Sequence, residues 1–369
     1  MKAIQWIISA LVAVVIIAAA VGGGVYFTRL KSIHSIRKLT DYENYNLYRM
    51  DIDYAYDLDR LIDRGITDNQ SMINAILAEA LPYLPIHMKA PNFGCSAFCT
   101  QGTDGHTLMG RNYDFKNDTS AMLVYCTPKD GYASVAFAAL DNINANTPDA
   151  SMAKKLATLT APFICLDGMN EKGVSIAVLT LDSDPTYQQT GKPMIATTLA
   201  IRLVLDRAAT TAEAVELLSK YDMFASSGRD YHFYITDASG DGRVLEYDCN
   251  DPTRPLTGTP SRSVTNFFVM YKDNVLPNQR NGVYGHGRER YDAIEEILDA
   301  NAGSIDREIA WQALQAASQA PNPKDVTSNT QWSILYDNTA LTAEAVIRRD
   351  WNTKTSYDLV SNVAVTDVG

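Results

Sequence analysis

Histidine and cysteine are scarce in this chain, and basic charge is outnumbered by acidic. Five histidines, His34, His87, His106, His232 and His286, are scattered over 369 residues, so no metal-binding tract can be drawn from them. A Cys-His pairing such as Cys95 with His232 is open on residue types, but no local signature marks it. Cysteines also number five, at 95, 99, 126, 165 and 249. The odd count leaves at least one thiol over, and no C-x-x-C pair suggests zinc. Lys and Arg total 32 against 43 Asp and Glu, a net charge of −11, which excludes a phosphate-backbone binder and hence a nucleic-acid partner. Low-complexity sequence is absent, and no residue pattern calls for a metal or organic cofactor.

Charge is missing altogether from Ala3 to Thr28. A helix crosses a bilayer core with roughly 20 residues, so residues 1–28 are long enough for a transmembrane anchor. A cleaved signal peptide would use Lys2, the apolar run and Ala18-Ala19-Ala20 as its small-residue site. Length favours the anchor. Arg29, Lys31, Arg37 and Lys38 beyond the run would hold the following chain inside. A lone Lys2 before it is the start of an exported protein, and this favours a membrane-anchored or secreted protein with an extracytoplasmic catalytic domain. A homo-oligomer is compatible with everything above.

Three regions follow: 1–28 as anchor or signal, 29–94 as a helical pre-segment, and 95–369 as one large domain. In the pre-segment a Tyr-rich stretch (Tyr42, Tyr45, Tyr48, Tyr54, Tyr56) reads as surface packing rather than as a lid. Ile73, Ile76, Leu77, Ala80 and Leu81 then recur at helical spacing between the cap Asp68 and Pro82. After Cys95 the pattern turns to strands: 107–111, 122–126, 133–138, 174–181, and 231–236 with its return 243–247. Helices are predicted over 196–208, after the Thr210–Glu213 capping box, over 291–299 and over 305–318. Strands return at 332–336 and 345–348. Strands, helices and strands without strict alternation predict an α+β layered fold. The loop Asp237–Gly242 has the look of a calcium-loop start, but its strand-like flanks make it a hairpin turn.

The chemistry centres on Gly94-Cys95-Ser96. A nucleophilic cysteine needs a route to the thiolate and donors for an oxyanion. Arg111 follows Cys95 by 16 residues and Asp114 by 19. A hairpin turning at Gly102-Thr103-Asp104-Gly105 would return both beside it. If Cys95 became an N-terminus by cleavage after Gly94, its α-amine, with an ordinary pKa of about 7.7–8.0, could serve as the base.

Cys95, the Gly110-Arg111-Asn112-Tyr113-Asp114 motif and Asp167-Gly168-Met169-Asn170-Glu171-Lys172-Gly173 together resemble the choloylglycine hydrolase family of linear-amide C–N hydrolases. The family includes bile salt hydrolases and penicillin V acylases and is related to acid ceramidases. The resemblance runs from Gly94 to the C-terminus. It implies the N-terminal-nucleophile (Ntn) hydrolase fold, a four-layer αββα arrangement, and a small-molecule N-acyl amide as substrate. It implies Cys95 as nucleophile, Arg111 and Asp114 holding thiol and amine, Asn266 as oxyanion donor, and Arg290 as the family arginine, with Arg288 its competitor. Where bile-salt and penicillin enzymes carry an asparagine seven residues after the Asn-Glu-Lys-Gly glycine, Thr180 stands here, which bears on substrate binding. The segment Asn170–Gly173 reads as a structural turn. Ninety-four residues precede Cys95, so a free amine requires cleavage, for which an autocatalytic N-to-S acyl shift is plausible. The same thioester could pass its acyl group to an amine, as in an acyltransferase. With an inert Cys95 the chain would be a tethered binding protein.

Overall fold

The computed structural model describes residues 23–82, 94–115, 118–280, 282–325 and 328–368. Two sheets dominate. The nine-stranded sheet runs, in spatial order, Arg37–Lys38, Leu47–Ile52, Ala121–Cys126, Ser134–Ala139, Cys165–Asn170, Ser175–Leu181, Asp230–Thr236, Arg243–Tyr247 and Leu256–Pro260. The seven-stranded sheet runs Ser263–Val264, Gly94–Gln101, Thr107–Asp114, Thr330–Asp337, Thr342–Ile347, Thr353–Asp358 and Val363–Val368.

Alternation along the strands sorts the side chains between two cores. From the seven-stranded sheet, Cys95, Ala97, Met109, Tyr113, Trp332, Ile334 and Tyr336 join the core shared with the nine-stranded sheet. Phe98, Leu108, Leu335 and Val346 pack the other way, against Ile294, Leu298, Trp311 and Leu314. Those four lie on the helices Arg288–Ala300 and Arg307–Ala317. On the far side, helix Thr197–Arg207 packs on Cys165–Asn170 and Ser175–Leu181. It approaches so closely at Gly168 that a Cβ there would stand 2.7 Å from Leu205 Cδ1. Helix, sheet, sheet and helix thus stack as the four-layer α+β arrangement expected.

Most predicted elements are present. Asp68 caps Asn69–Ala80, accepting from Ser71 N–H at 2.7 Å. Thr210 caps Thr211–Leu218, while the Glu213 carboxylate reaches Ala209 N–H rather than that of Thr210. Asp237–Gly242 joins two antiparallel strands, and Asp237 accepts from Ser239 and from Thr211 N–H. Gly173, at φ 75°, closes the turn of Asn170, whose Oδ1 accepts from Lys172 and Val174 N–H.

The pre-segment departs from the helical expectation. Leu47–Ile52 is a strand, paired parallel with Ala121–Cys126. The adjoining ladders on either side are antiparallel. Its polar positions are satisfied at a distance: Arg49 pairs with Asp51 at 2.9 Å and donates to Asn362 O at 3.1 Å. The tyrosines pack into the body: Tyr54 donates to Leu159 O at 2.5 Å, Tyr56 to Asp206 at 3.0 Å and Tyr42 to Asp350 at 2.7 Å. The hairpin Thr353–Asp358 and Val363–Val368 was likewise not anticipated. Of the apolar N-terminus, residues 1–22 lie outside the described residues, and 23–34 are helical. Among the described residues no helix is long and apolar enough to cross a membrane. Arg29, expected as a flanking cation, is turned into the protein, donating to Ala80 O at 2.7 Å and Glu79 O at 2.6 Å.

Candidate active site

Gly94–Gln101 and Thr107–Asp114 form the predicted hairpin. Cys95 lies opposite Tyr113, Ala97 opposite Arg111 and Gly94 opposite Asp114. Cys95 is completely buried on the face between the sheets. Arg111, two residues from Tyr113, shares that face, whereas Asp114 is turned to the helical side. The hairpin thus brings both residues to Cys95, on opposite faces of one strand.

The Arg111 guanidinium crosses to the other sheet. Its Nε donates to Asp167 at 2.7 Å and its Nη2 to Val178 O at 3.1 Å. Asp167 also accepts from Tyr336 Oη at 2.6 Å and Trp332 Nε1 at 3.2 Å. Burial pushes the Cys95 thiol up to about 11, opposed by the charge and hydrogen bond of Arg111 and by the Asp114 N–H. Burial disfavours the charge of Arg111 too, but Cys95 and Asp167 outweigh it and hold the guanidinium above its ordinary value. The carboxyl of Asp167 is raised by burial, with Arg111 opposing. In the intact chain the arrangement stores a protonated thiol beside a fixed cation, ready to favour the thiolate once a base is available.

The backbone of Cys95 is gripped from the helical side. Its N–H donates to Asn266 Oδ1 at 3.2 Å, and its carbonyl accepts from Arg290 Nη1 at 2.9 Å. Arg290 Nη2 donates to the same Asn266 Oδ1 at 2.6 Å, and Nη1 lies 3.4 Å from Asp114. Asp114 further accepts from Thr330 Oγ1 at 2.6 Å and Gln319 Nε2 at 2.8 Å. Burial raises its carboxyl above the usual range, against the pull of Arg290. Arg288 faces elsewhere, bonding Asp292 and Lys272 O, so of the two arginines it is Arg290 that meets Cys95.

Asn266 and Thr180 are bonded to each other. Asn266 presents its oxygen to Cys95, and its Nδ2, the donor an oxyanion would need, is bound to Thr180 O at 2.9 Å and Thr180 Oγ1 at 3.2 Å. Thr180, expected to bear on substrate binding, is fully buried and orients the Asn266 side chain. Nor is His232 a base for Cys95: its Nδ1 meets Glu246 at 3.2 Å and its Nε2 meets Thr265 O at 2.9 Å. Sequence reading missed Asp167, Gln319 and Thr330. Asp167 stood inside a quoted motif, and its sign opposite Arg111 was the available signal; nothing local marked the other two. Among the described residues no His, Cys, Asp and Glu cluster could hold a metal ion.

Residues 95–251 match the family model of linear amide C-N hydrolases, choloylglycine hydrolase family. The match opens on Cys95 itself. Among solved structures, an arginine-to-leucine variant of conjugated bile acid hydrolase from Clostridium perfringens is similar with a TM-score of 0.55 at 16% identity, covering 74% of this chain and 97% of that one. Penicillin V acylase from Agrobacterium tumefaciens gives a TM-score of 0.52 at 18% identity, covering 72% and 86%. Both likenesses speak for the fold. The family match begins at the gripped cysteine and is carried on this stack of two sheets between helices, so residues 95–251 are similar to the choloylglycine hydrolase family of linear amide C-N hydrolases.

Proposed function

We propose that this chain hydrolyses a linear N-acyl amide with Cys95 as an N-terminal nucleophile, after cleavage of its own Gly94–Cys95 bond. The observation that carries the reading is the three-way grip on one residue: thiol by Arg111, nitrogen by Asn266, carbonyl by Arg290. A merely buried structural cysteine has no need of such partners.

In processing, the thiol attacks the Gly94 carbonyl, the C–N bond breaks as a thioester forms and the departing nitrogen takes the thiol proton to become the free α-amine, and water then hydrolyses the thioester to release the Gly94 carboxylate and restore the thiol. In turnover, that amine takes the thiol proton as the sulfur attacks the substrate carbonyl and returns it to the departing amine. Water then frees the acid. Asn266 Oδ1, which accepts the amide N–H, is placed to accept from the amine as well. Its Nδ2 serves the oxyanion by exchanging the Thr180 bond for the substrate oxygen, and backbone N–H groups can add a second donor. Arg111 stabilises the thiolate, and Asp114 with Arg290 fixes the strand end.

The uncharged N-terminal run supports placement of this activity at a membrane or outside the cell. The test is intact-mass analysis together with a panel of bile-salt conjugates, penicillin V, N-acyl amino acids, ceramide-like lipids and acyl-homoserine lactones. A fragment beginning at Cys95 and hydrolysis of at least one amide are expected, both lost in Cys95→Ala. Amidase activity surviving in Cys95→Ala would end the proposal. Product partitioning with added amine distinguishes hydrolysis from acyl transfer.

A further inference from the structure

His232 and Glu246 are both fully buried, and the mechanism above uses neither. Their hydrogen bonds tie them to each other and to one segment. His232 Nε2 lies 2.9 Å from the carbonyl oxygen of Thr265, which can only accept, so Nε2 carries a hydrogen. Its Nδ1 faces Glu246 Oε1 at 3.2 Å. That carboxylate already accepts from Val269 N–H at 2.6 Å on Oε1 and from Met270 N–H at 3.0 Å on Oε2. Ring and carboxyl are thus paired with each other, and each is anchored to backbone.

The pair holds one segment at both ends. His232 fixes the carbonyl of Thr265, and Glu246 fixes the amides of 269 and 270. Between them lies Asn266, whose Oδ1 meets Cys95 and Arg290. The segment is also tied to the start of the Arg290 helix: Thr265 Oγ1 donates to Gly287 O at 2.9 Å, and Asn266 O accepts from His286 N–H at 2.9 Å. Asn266 has to keep its place while it trades partners during the reaction, which needs a stiff support.

We propose that His232 and Glu246 are positioning residues, a buried brace that sets Asn266 against Cys95. The proposal rests on the reading of Asn266 as part of the site. It is tested in the full chain labelled with 15N-histidine and 15N-asparagine, alongside His232→Leu, His232→Gln and Glu246→Gln. The wild type is expected to show one ring carrying a hydrogen on Nε2, absent in both His232 variants. The Asn266 side-chain amide signal should shift and broaden in His232→Leu and recover in His232→Gln, which keeps a donor for Thr265. With an N-acyl amide substrate, kcat should fall about tenfold or more in His232→Leu with KM within about twofold, and be partly restored in His232→Gln. A wild-type ring without a hydrogen on Nε2, or an unmoved Asn266 signal in a folded His232→Leu, overturns the brace whether or not any amide is cut. Failure of the wild type to cut any amide while both signals behave as expected overturns the functional reading instead.

Discussion

Arg111 has two partners of opposite demand, the Cys95 thiol and the Asp167 carboxylate, and substitutions can separate them. Arg111→Met removes the cation from the thiol and strands Asp167, fully buried, without its charge partner. Breaking a buried pair from one side costs about 3–5 kcal/mol, so urea midpoints should drop sharply. Adding Asp167→Asn keeps the neighbours of Asp167 but removes the stranded charge; stability should largely return while amide hydrolysis stays lost. A double variant as active as wild type would remove Arg111 from the chemistry. The thiol supplies a second prediction at this scale. Burial holds it at about 11 in the intact chain, so between pH 7 and 9 it is almost wholly protonated. Its thiolate fraction climbs about tenfold per unit over that range. Self-cleavage of freshly refolded chain, followed by intact mass, should accelerate with pH over the same range. A rate flat with pH would mean that thiol ionisation does not limit cleavage.

Helix Arg288–Ala300 delivers Arg290 to Cys95, and its start depends on Gly287. That residue sits at φ 85°, and a Cβ on it would stand 2.4 Å from Arg290 Nη2. Gly287→Ala therefore combines backbone strain with displacement of the guanidinium. It should cost on the order of 1 kcal/mol in stability and far more in turnover than that loss explains, whereas Arg288→Ala should leave turnover near wild type. Equal activity in the two variants would contradict the selection of Arg290. Elements also show where the chain could be read in advance. The Cys95 hairpin was legible because its turn residues and both strand patterns are local. The spacing of three between Arg111 and Asp114 even encoded their opposite faces, since strand side chains alternate. The strand Leu47–Ile52 was not legible, because Arg49 and Asp51 look like a solvated surface until Asn362, more than three hundred positions away, supplies their setting. Asn266 was legible as a candidate, but which end of its amide meets Cys95 depends on Thr180 and Arg290, on two other elements.

At the scale of the whole molecule, the segment ahead of Cys95 is part of the body it precedes. Its strand extends the nine-stranded sheet, with Leu47 and Met50 fully buried. Asn46 N–H donates to Ser120 Oγ at 3.0 Å, Asp59 pairs with Arg207 at 2.7 Å, and Leu39 O accepts from Thr366 at 2.9 Å. Cleavage after Gly94 would break one covalent bond and none of these. The two fragments should therefore travel together through native size exclusion at the mass of the uncut chain and separate only in denaturant. No disulfide can be responsible, because the first cysteine of the sequence is Cys95 itself, so reducing agent should change nothing. Met50→Asp places an unpaired charge in the interior, which a buried site strongly resists. It should loosen the association and lower the melting temperature without touching Cys95. A cleaved protein that sheds residues 29–82 under native conditions and remains folded would show that the sheet is complete without its parallel strand.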